Sequence, residues 1–279
     1  MLSVFPYYII HSIYHSIIAF MQIAHKNIIL TGAASGIGKA LLNQLLEFEG
    51  VKIIAVDLNV VENTSNKIIP FVCDLSQQSE IDRLFEFALT QFKTIDIFIA
   101  NAGFAYYEVM EKPDWQRIEK IFQVNVFSPI YAFQKMKELN VGREYFVLMT
   151  SSAMAKLAIP GYALYGATKA ALDRFEDAYR FENQDFGHLS LVYPIATKTN
   201  FFNRSTDFSR KDVPIPFPAS TPEEVAKAML NGILNNEKHI YPSKLFQFSR
   251  LFQKLFEIMV LPYQYFYARK LKEFHNNIQ

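Results

Sequence analysis

Tyr165 and Lys169 stand four residues apart in the run Tyr165-Gly-Ala-Thr-Lys169. On a helix that spacing puts both side chains on one face, about one turn from each other. An ammonium beside a phenol favours the phenolate. A tyrosine so placed can give or take a proton near neutral pH, which an isolated phenol with a pKa of about 10 does poorly. Taken alone, the pair reads more simply as a half-buried ring and a solvated amine. What gives it weight lies upstream.

Asn27-Ile-Ile-Leu-Thr31 is a short apolar run, expected as a buried strand. It opens onto Gly32-Ala-Ala-Ser35-Gly36-Ile37-Gly38, after which Leu41, Leu42, Leu45, Leu46 and Phe48 keep helical spacing. Strand, glycine-rich turn and helix are the setting that a dinucleotide fingerprint needs. Gly32 allows the tight turn, Gly36 a close backbone approach to a pyrophosphate, and Gly38 close packing of helix on strand. The free N–H groups at the helix start then face the phosphates. The bland alternative is a turn that uses glycine for shape only. Val51–Val56 reads as the second strand, and Asp57 ends it, 19 residues beyond Gly38. An acid there accepts hydrogen bonds from the adenosine ribose and repels a 2′-phosphate, though it also suits an ordinary Asp-Leu-Asn turn. No Lys or Arg lies between Gly32 and Gly38, and Lys39 is the nearby candidate for a 2′-phosphate. NAD(H) is therefore the preferred cofactor, with NADP(H) as the alternative.

Further strands are expected at 68–72, 95–99, 145–149, 188–193 and 239–241, with helices over 79–92, from Asp114 through Asn125, around Tyr165, and over 221–235. Thr221-Pro-Glu-Glu224 carries the signs of a helix start: Thr at the cap, Pro first, Glu third. Asn101-Ala102-Gly103 closes the fourth strand with small residues and an amide, suited to backbone that meets a flat ligand. Asn125 is a polar residue in an apolar helix stretch, read simply as a core Asn bonded to backbone. Residues 195–220 form an irregular stretch rich in Phe and Pro, long enough to suggest a functional loop. The alternation of strands and helices predicts an α/β fold: one Rossmann-like, doubly wound parallel sheet in a single domain over 25–243.

The 279 residues are 51% hydrophobic and 20% charged, with a net charge of +1. That composition supports a large core and gives no signal for nucleic acid. The lone Cys73 excludes an internal disulfide and fits a reducing cytoplasm. No clustered metal-ligand motif stands out. Residues 1–24 form an apolar N-terminal extension without Lys or Arg, which disfavours a secretory signal. His11, Ser12, His15 and Ser16 interrupt it as a membrane helix. An interfacial membrane contact and a start of translation at Met21 both remain open. Residues 244–279 form a C-terminal extension in which Leu245, Phe248, Phe252, Leu255 and Met259 mark a helical stripe, widened by Phe246, Leu251 and Phe256, among Lys244, Arg250, Lys254, Arg269, Lys270 and Lys272. An aromatic, basic amphipathic helix can lie in a membrane interface, and it can equally cover a pocket or a subunit interface.

Taken together, Thr31 to Gly38, Asn101 to Gly103, Ser152, and Tyr165 with Lys169 resemble the short-chain dehydrogenases/reductases, in the branch marked by TGxxxGIG, NAG, Ser and YxxxK. Ser152 lies 13 residues before Tyr165, the interval usual in that family, and the resemblance runs over about residues 26–242. It implies an oxidoreductase that interconverts a secondary alcohol and a carbonyl. Tyr165 would be the general acid/base, Ser152 would hydrogen-bond the substrate oxygen, and Lys169 would lower the Tyr165 pKa and hold the nicotinamide ribose. Asn125 would orient a water that links Lys169 to solvent. The turn residues Gly32, Ser35, Gly36, Ile37 and Gly38 and the acid Asp57 would hold the dinucleotide. Asp74 and Leu75 would flank its adenine, and Asn101, Ala102 and Gly103 its centre. Pro194 and Thr199 keep part of the family's P-G-x-V-x-T run, whereas Ile195 replaces its glycine. The family implies a homodimer or homotetramer. An apolar, lipid-like substrate fits the Phe-rich loop and tail, and the location expected is cytoplasmic, with the membrane periphery as the alternative. The reading from a different class is a regulatory module that binds a dinucleotide without turnover.

Overall fold

The computed structural model describes residues 21–62, 65–182, 186–199, 201 and 215–249, and within 262–273 residues 262, 263, 265–267, 269, 270 and 273. The N-terminal segment 1–20 and Phe252, Leu255 and Met259 of the expected C-terminal stripe lie outside the described residues.

Nine strands and seven α-helices are described in chain order. The strands are β1 (Asn27–Thr31), β2 (Lys52–Asp57), β3 (Ile68–Val72), β4 (Ile97–Ala100), β5 (Tyr145–Thr150), β6 (Gly187–Val192), β7 (Ala196–Thr197), β8 (Ala219–Ser220) and β9 (His239–Ile240). The helices are α1 (Gly36–Leu45), α2 (Gln78–Gln91), α3 (Trp115–Phe122), α4 (Ser128–Leu139), α5 (Ala163–Glu182), α6 (Pro222–Leu234) and α7 (Lys244–Ser249). Among the described residues, seven strands form one parallel sheet in the order β3-β2-β1-β4-β5-β6-β9.

A parallel sheet covered on both faces needs apolar side chains at every position, and that is why β1 reads as a continuous run. Ile28 and Leu30 point to one face, where Leu41, Leu42 and Leu45 of α1 meet Val225, Met229 and Ile233 of α6. Ile29 points to the other, toward Leu84 and Phe85 of α2 and Phe133 and Met136 of α4. Fully burying such a side chain contributes roughly 2 kcal/mol. The core also takes in Met21 and Ile23, which are buried against the α1–α6 face. Met21 donates its N–H to Leu234 O at 3.0 Å.

The strand order reverses between β1 and β4, so the turns after Thr31 and after Ala100 diverge and leave a crevice at the carboxyl ends of the strands. Strand bounds differ from the expected ones by one or two residues, with β4 starting at Ile97 rather than Ile95. Asp114 does cap its helix, accepting from Arg117 N at 3.0 Å, and Thr221 and Glu224 form the expected reciprocal cap of α6.

Three elements depart from expectation. The stretch holding Asn125 is a π-type turn, Gln123–Phe127, set between α3 and α4. Residues 195–220, expected to be irregular, contribute β7 and β8, which pair in parallel as Ala196↔Ala219 and Thr197↔Ser220. In α7 the buried residue is Phe246, whereas Leu245 and Phe248 of the expected apolar stripe are exposed. Phe246 packs on Tyr241 and joins the α2–α4 face of the core, so α7 belongs to the packed domain. Among the described residues no helix is long and apolar enough to cross a membrane.

Candidate active site

The glycine turn sits in the crevice. Gly32 and Gly36 have φ of 69° and 55°, a region that side chains disfavour. A Cβ on Gly32 would come within 2.9 Å of Ala102 Cα, and one on Gly38 would overlap Gly32 O. A Cβ on Gly36 would meet Thr199 Cγ2 at 3.2 Å, which places Thr199 beside the turn. Thr31 ties the two arms of the crevice together. Its buried hydroxyl donates to Ile99 O at 3.2 Å and accepts from Asn101 N and Ala102 N, each at 3.0 Å. Asn101 Nδ2 donates to Thr31 O at 3.2 Å and Gly32 O at 3.3 Å. Asn101 is therefore spent on shaping the turn. Ser35 stands at the N-cap of α1 with no side-chain cap bond, leaving the helix-start amides to the crevice. A cavity of about 420 Å³ opens beside the turn, bounded among others by Ser35, Gly36, Lys39, Lys198, Thr199 and Glu223. It lies at the turn and does not reach Tyr165.

Asp57 ends β2 as expected. Its carboxylate accepts from Ala34 N and from Asn59 N, each at 3.1 Å, which fixes it beside the turn. Asp74 accepts from Ser76 N at 2.9 Å and Ser76 Oγ at 2.8 Å, and Leu75 is buried in the core. Both sit just beyond β3, and their side chains are engaged within the fold. Pro194 O accepts from Ala153 N at 2.9 Å and so sets the backbone beside Ser152. Ile195, in the family's glycine position, is not among the described residues of positive φ. The backbone there makes no demand that only glycine meets.

Ser152, Tyr165 and Lys169 come together as the sequence predicts. Ser152 follows β5 and caps a short 3₁₀ turn, its Oγ accepting from Met154 N at 3.1 Å. It also lies close enough to the Tyr165 hydroxyl to favour its ionised form. Lys169, one turn further along α5, places Nζ 5.5 Å from the centre of the Tyr165 ring and donates to Thr150 O at 2.7 Å. All three side chains are buried.

Burial outweighs the charge effect expected from Lys169. It pushes the Tyr165 hydroxyl up to about 12, against a smaller lowering by Ser152. The same burial pulls Lys169 down to about 7. In this geometry the tyrosine is a firmly protonated acid and the lysine is poised between its charged and neutral forms.

Asn125, brought in by the π-type turn, accepts from Phe104 N at 3.1 Å and donates to Phe104 O at 2.8 Å and to Thr168 Oγ1 at 3.1 Å. Thr168 in turn donates to Tyr165 O at 2.7 Å. Extra turns of this kind concentrate at functional sites because they re-aim one side chain. A Cβ on Gly103 would meet Asn125 Oδ1 at 3.1 Å and Lys169 Nζ at 3.5 Å, so only glycine keeps that space open.

Around Tyr165 the wall is aromatic. Tyr162 lies 6.5 Å from the Tyr165 ring, Phe201 5.6 Å from it, and Tyr107 5.0 Å from Tyr162. Tyr106 and Tyr267 belong to the same buried cluster. Burial pushes the Tyr107 hydroxyl up to about 12 and that of Tyr162 higher still. The segment carrying Tyr106 and Tyr107 is fixed by Arg117, whose guanidinium lies 3.8 Å over the Tyr106 ring and pairs with Glu108 at 2.7 Å. Tyr162, Tyr107, Tyr267 and Arg117 are absent from the sequence reading. Tyr162 alone had a local signal, three residues ahead of Tyr165.

A family model described as short chain dehydrogenase matches residues 26–209. An uncharacterized oxidoreductase, TDA5, of Saccharomyces cerevisiae is 29% identical over 186 residues, covering 63% of this chain and 56% of its own length. A 3-ketodihydrosphingosine reductase of Dictyostelium discoideum is 26% identical over 272 residues, covering 85% of this chain and 81% of its own. Among solved structures, a short chain dehydrogenase of Burkholderia cenocepacia in complex with NADP matches with a TM-score of 0.70 at 22% identity, over 89% of this chain and 98% of that one. Another from Burkholderia phymatum, in complex with NAD, matches with a TM-score of 0.73 at 17% identity, over 86% and 96%. The family match takes in the glycine turn, the crevice and the Ser152–Tyr165–Lys169 set, and this chain belongs to the short-chain dehydrogenase/reductase family of oxidoreductases.

Proposed function

We propose that this protein interconverts a secondary alcohol and a carbonyl with a nicotinamide dinucleotide, on an apolar substrate, and that Tyr165 is its general acid/base. The observation that carries the proposal is the shared burial of Ser152, Tyr165 and Lys169, with Lys169 Nζ 5.5 Å from the centre of the Tyr165 ring. The glycine cradle fits a dinucleotide: added Cβ atoms would fill the turn at Gly32, Gly36 and Gly38 and the space at Gly103. Gly32, Ser35, Gly36, Ile37 and Gly38 would hold the pyrophosphate, Asp57 the adenosine ribose, and Lys169 the nicotinamide ribose. Asp74 and Leu75 would lie near the adenine, with Asn101, Ala102, Gly103, Pro194 and Thr199 along the rest of the cleft. When bound, the dinucleotide supplies hydride to carbon or takes it away.

The chain's own residues handle the oxygen. In reduction Tyr165 gives its proton to the carbonyl oxygen, while Ser152 donates a hydrogen bond to the same oxygen as negative charge builds there. The tyrosinate then recovers a proton by way of Lys169, whose pKa near 7 suits it to both giving and taking one. Asn125 holds the Phe104 backbone beside that path. In oxidation the same steps run backward.

The Asp57 carboxylate, fixed beside the turn, favours NAD(H) by repelling a 2′-phosphate. Lys39 and Lys198 at the neighbouring cavity are the groups that would favour NADP(H). The aromatic wall and the relative named for a keto-sphingoid lipid support an apolar ketone substrate. Exposed Leu245, Phe248, Tyr265 and Phe266, with Lys244, Arg269 and Lys270 on the same two segments, support a peripheral membrane contact. Exposed Phe127 and Phe181 support a homodimer or homotetramer.

The test is to titrate NADH and NADPH by fluorescence and follow absorbance at 340 nm with ketones and aldehydes of rising chain length, in wild type and Tyr165→Phe. Dinucleotide binding in both, with turnover at least about a thousandfold lower in the variant, is the expected result. Binding without turnover on any substrate would instead favour a regulatory module. Tighter NADPH binding would overturn the role of Asp57.

A further inference from the structure

The family match ends at residue 209, yet a segment more than fifty residues further on reaches the active site. Tyr267 is only 4% exposed and lies in the same buried cluster as Tyr165, Tyr162 and Tyr107. Its neighbour Tyr263 packs ring to ring with it at 4.7 Å. Burial among these rings pushes the Tyr263 hydroxyl up.

The two hydroxyls share one target. Phe217 donates its backbone N–H to Tyr267 Oη at 3.2 Å, and its carbonyl accepts from Tyr263 Oη at 3.0 Å. Both backbone polar groups of one residue are thus held by one short segment, while the Phe217 ring stays 79% exposed. A grip on backbone fixes where the chain runs and leaves the ring out of the bargain. Phe217 lies just before β8, which pairs with β7, and β7 leads to Thr199 and to Phe201 on the Tyr165 ring. The tail therefore holds the chain beside the strand partner of β7, and supplies part of the wall itself.

We propose that Tyr263 and Tyr267 determine substrate specificity, by clasping Phe217 and walling the apolar side of the Tyr165 site. The inference deepens the oxidoreductase reading and rests on it. An apolar wall discriminates by the methylenes it accommodates, at about tenfold or more for each one that fits or clashes. Shortening the wall at Tyr267 admits longer chains. Removing only its hydroxyl loosens the clasp without emptying the space.

The experiment compares wild type, Tyr267→Phe and Tyr267→Ala on a series of 2-alkanones from butanone to dodecanone, with NADH affinity measured beside each. In Tyr267→Ala the chain length of highest kcat/KM moves up by two or more carbons, and the KM of the wild-type optimum rises about tenfold, while NADH affinity stays within about twofold. In Tyr267→Phe the Phe217 amide exchanges hydrogen faster and KM rises with little change in kcat. A chain-length profile identical in all three proteins overturns the proposal, as does NADH affinity falling in step with KM, which marks a merely structural tail. If Tyr267→Ala fails to fold, the KM split in Tyr267→Phe decides alone. If wild type turns over no member of the series, the oxidoreductase reading fails separately. Calorimetric binding of the same ketones then judges the clasp: affinity weakened about tenfold in the variants keeps it, and equal or absent binding overturns it.

Discussion

The crevice around the glycine turn and the wall around Tyr165 are built by different physics. In the crevice the parts are backbone and short polar groups at the ends of neighbouring strands. One Thr31 hydroxyl serves Ile99 O, Asn101 N and Ala102 N, and the Asn101 amide serves Thr31 O and Gly32 O. Each group has one position that satisfies it, and a buried one left unmatched costs about 1–3 kcal/mol. The wall is made largely of rings from separated stretches, among them Tyr106 and Tyr107, Phe122, Tyr162 and Tyr165, Phe201, and Tyr263 and Tyr267. Ring contacts are broad and substitutable, at about 0.5–1.5 kcal/mol beyond the area they bury. A region fixed by hydrogen bonds tolerates little change. A region fixed by rings can change its shape and keep its fold, as a pocket must if it is to fit different substrates on one catalytic frame.

Gly38→Ala gives the sharpest break on the rigid side. Its Cβ would overlap Gly32 O, which is backbone and cannot swing away. The variant should lose dinucleotide binding by more than about a hundredfold and several kcal/mol of stability, since overpacking in a rigid site costs about 1–3 kcal/mol or more. Fluorescence titration and denaturant unfolding check both. A variant that binds NADH like wild type would show that the crevice yields as readily as the wall.

Lys169 sits where the two regions meet, and its stability effect carries a sign. Burial holds its folded pKa near 7 against 10.5 for the free group. A depressed pKa means that stability is fully present above the unfolded value and is lost as pH falls through the folded one. Wild type should therefore gain stability as pH rises from about 7 toward 10.5. Lys169→Met removes the buried charge and flattens that limb. Its Tm should exceed that of wild type at pH 6 and fall to or below it at pH 9, where the neutral amine still donates to Thr150 O. Parallel Tm curves would mean that Lys169 keeps its charge at no cost to the fold.

The same contrast decides what could be read from the sequence. The crevice was legible because its residues are neighbours in the chain: a strand, a glycine turn and a helix start, followed by an acid at the end of the next strand. Tyr165 and Lys169 were legible as a pair from helical spacing, and Ser152 joined them through the family resemblance. The partners of Thr31 were not, since they exist only once β4 lies beside β1. The rings of the wall were hidden in abundance: with 26 Phe and 15 Tyr, no spacing singles out Tyr107 or Tyr267. The strands β7 and β8 have two residues each, too short for any alternation to register. In α7 the stripe centred on Leu245 and Phe248 and was only widened by Phe246, and tertiary packing chose Phe246. The pKa of Tyr165 was misjudged for a related reason. Spacing reveals the neighbouring charge, and only the fold reveals how little water reaches the phenol.

The gentlest probe of the comparison is Arg117→Met. The guanidinium stacks on Tyr106 and pairs with Glu108, and both Arg117 and Glu108 side chains keep about a quarter of their surface, at 23% and 28%. A partly exposed ion pair of this kind contributes about 0–1 kcal/mol, and a cation over a ring about 0.5–1 kcal/mol. Methionine keeps much of the apolar contact with the ring. Stability should therefore fall by no more than about 1 kcal/mol, and NADH affinity should not move, because the pair holds the Tyr106 segment rather than the glycine turn. What should move is the segment that carries Tyr106 and Tyr107, and with it the KM for long ketones, by about two- to fivefold at nearly constant kcat. Arg117→Lys tells charge from plane: it keeps the cation and loses the flat stacking and the fork, so a KM close to that of Arg117→Met assigns the effect to the ring contact. A loss of NADH affinity in either variant would join the wall to the crevice mechanically and remove the independence on which the comparison stands.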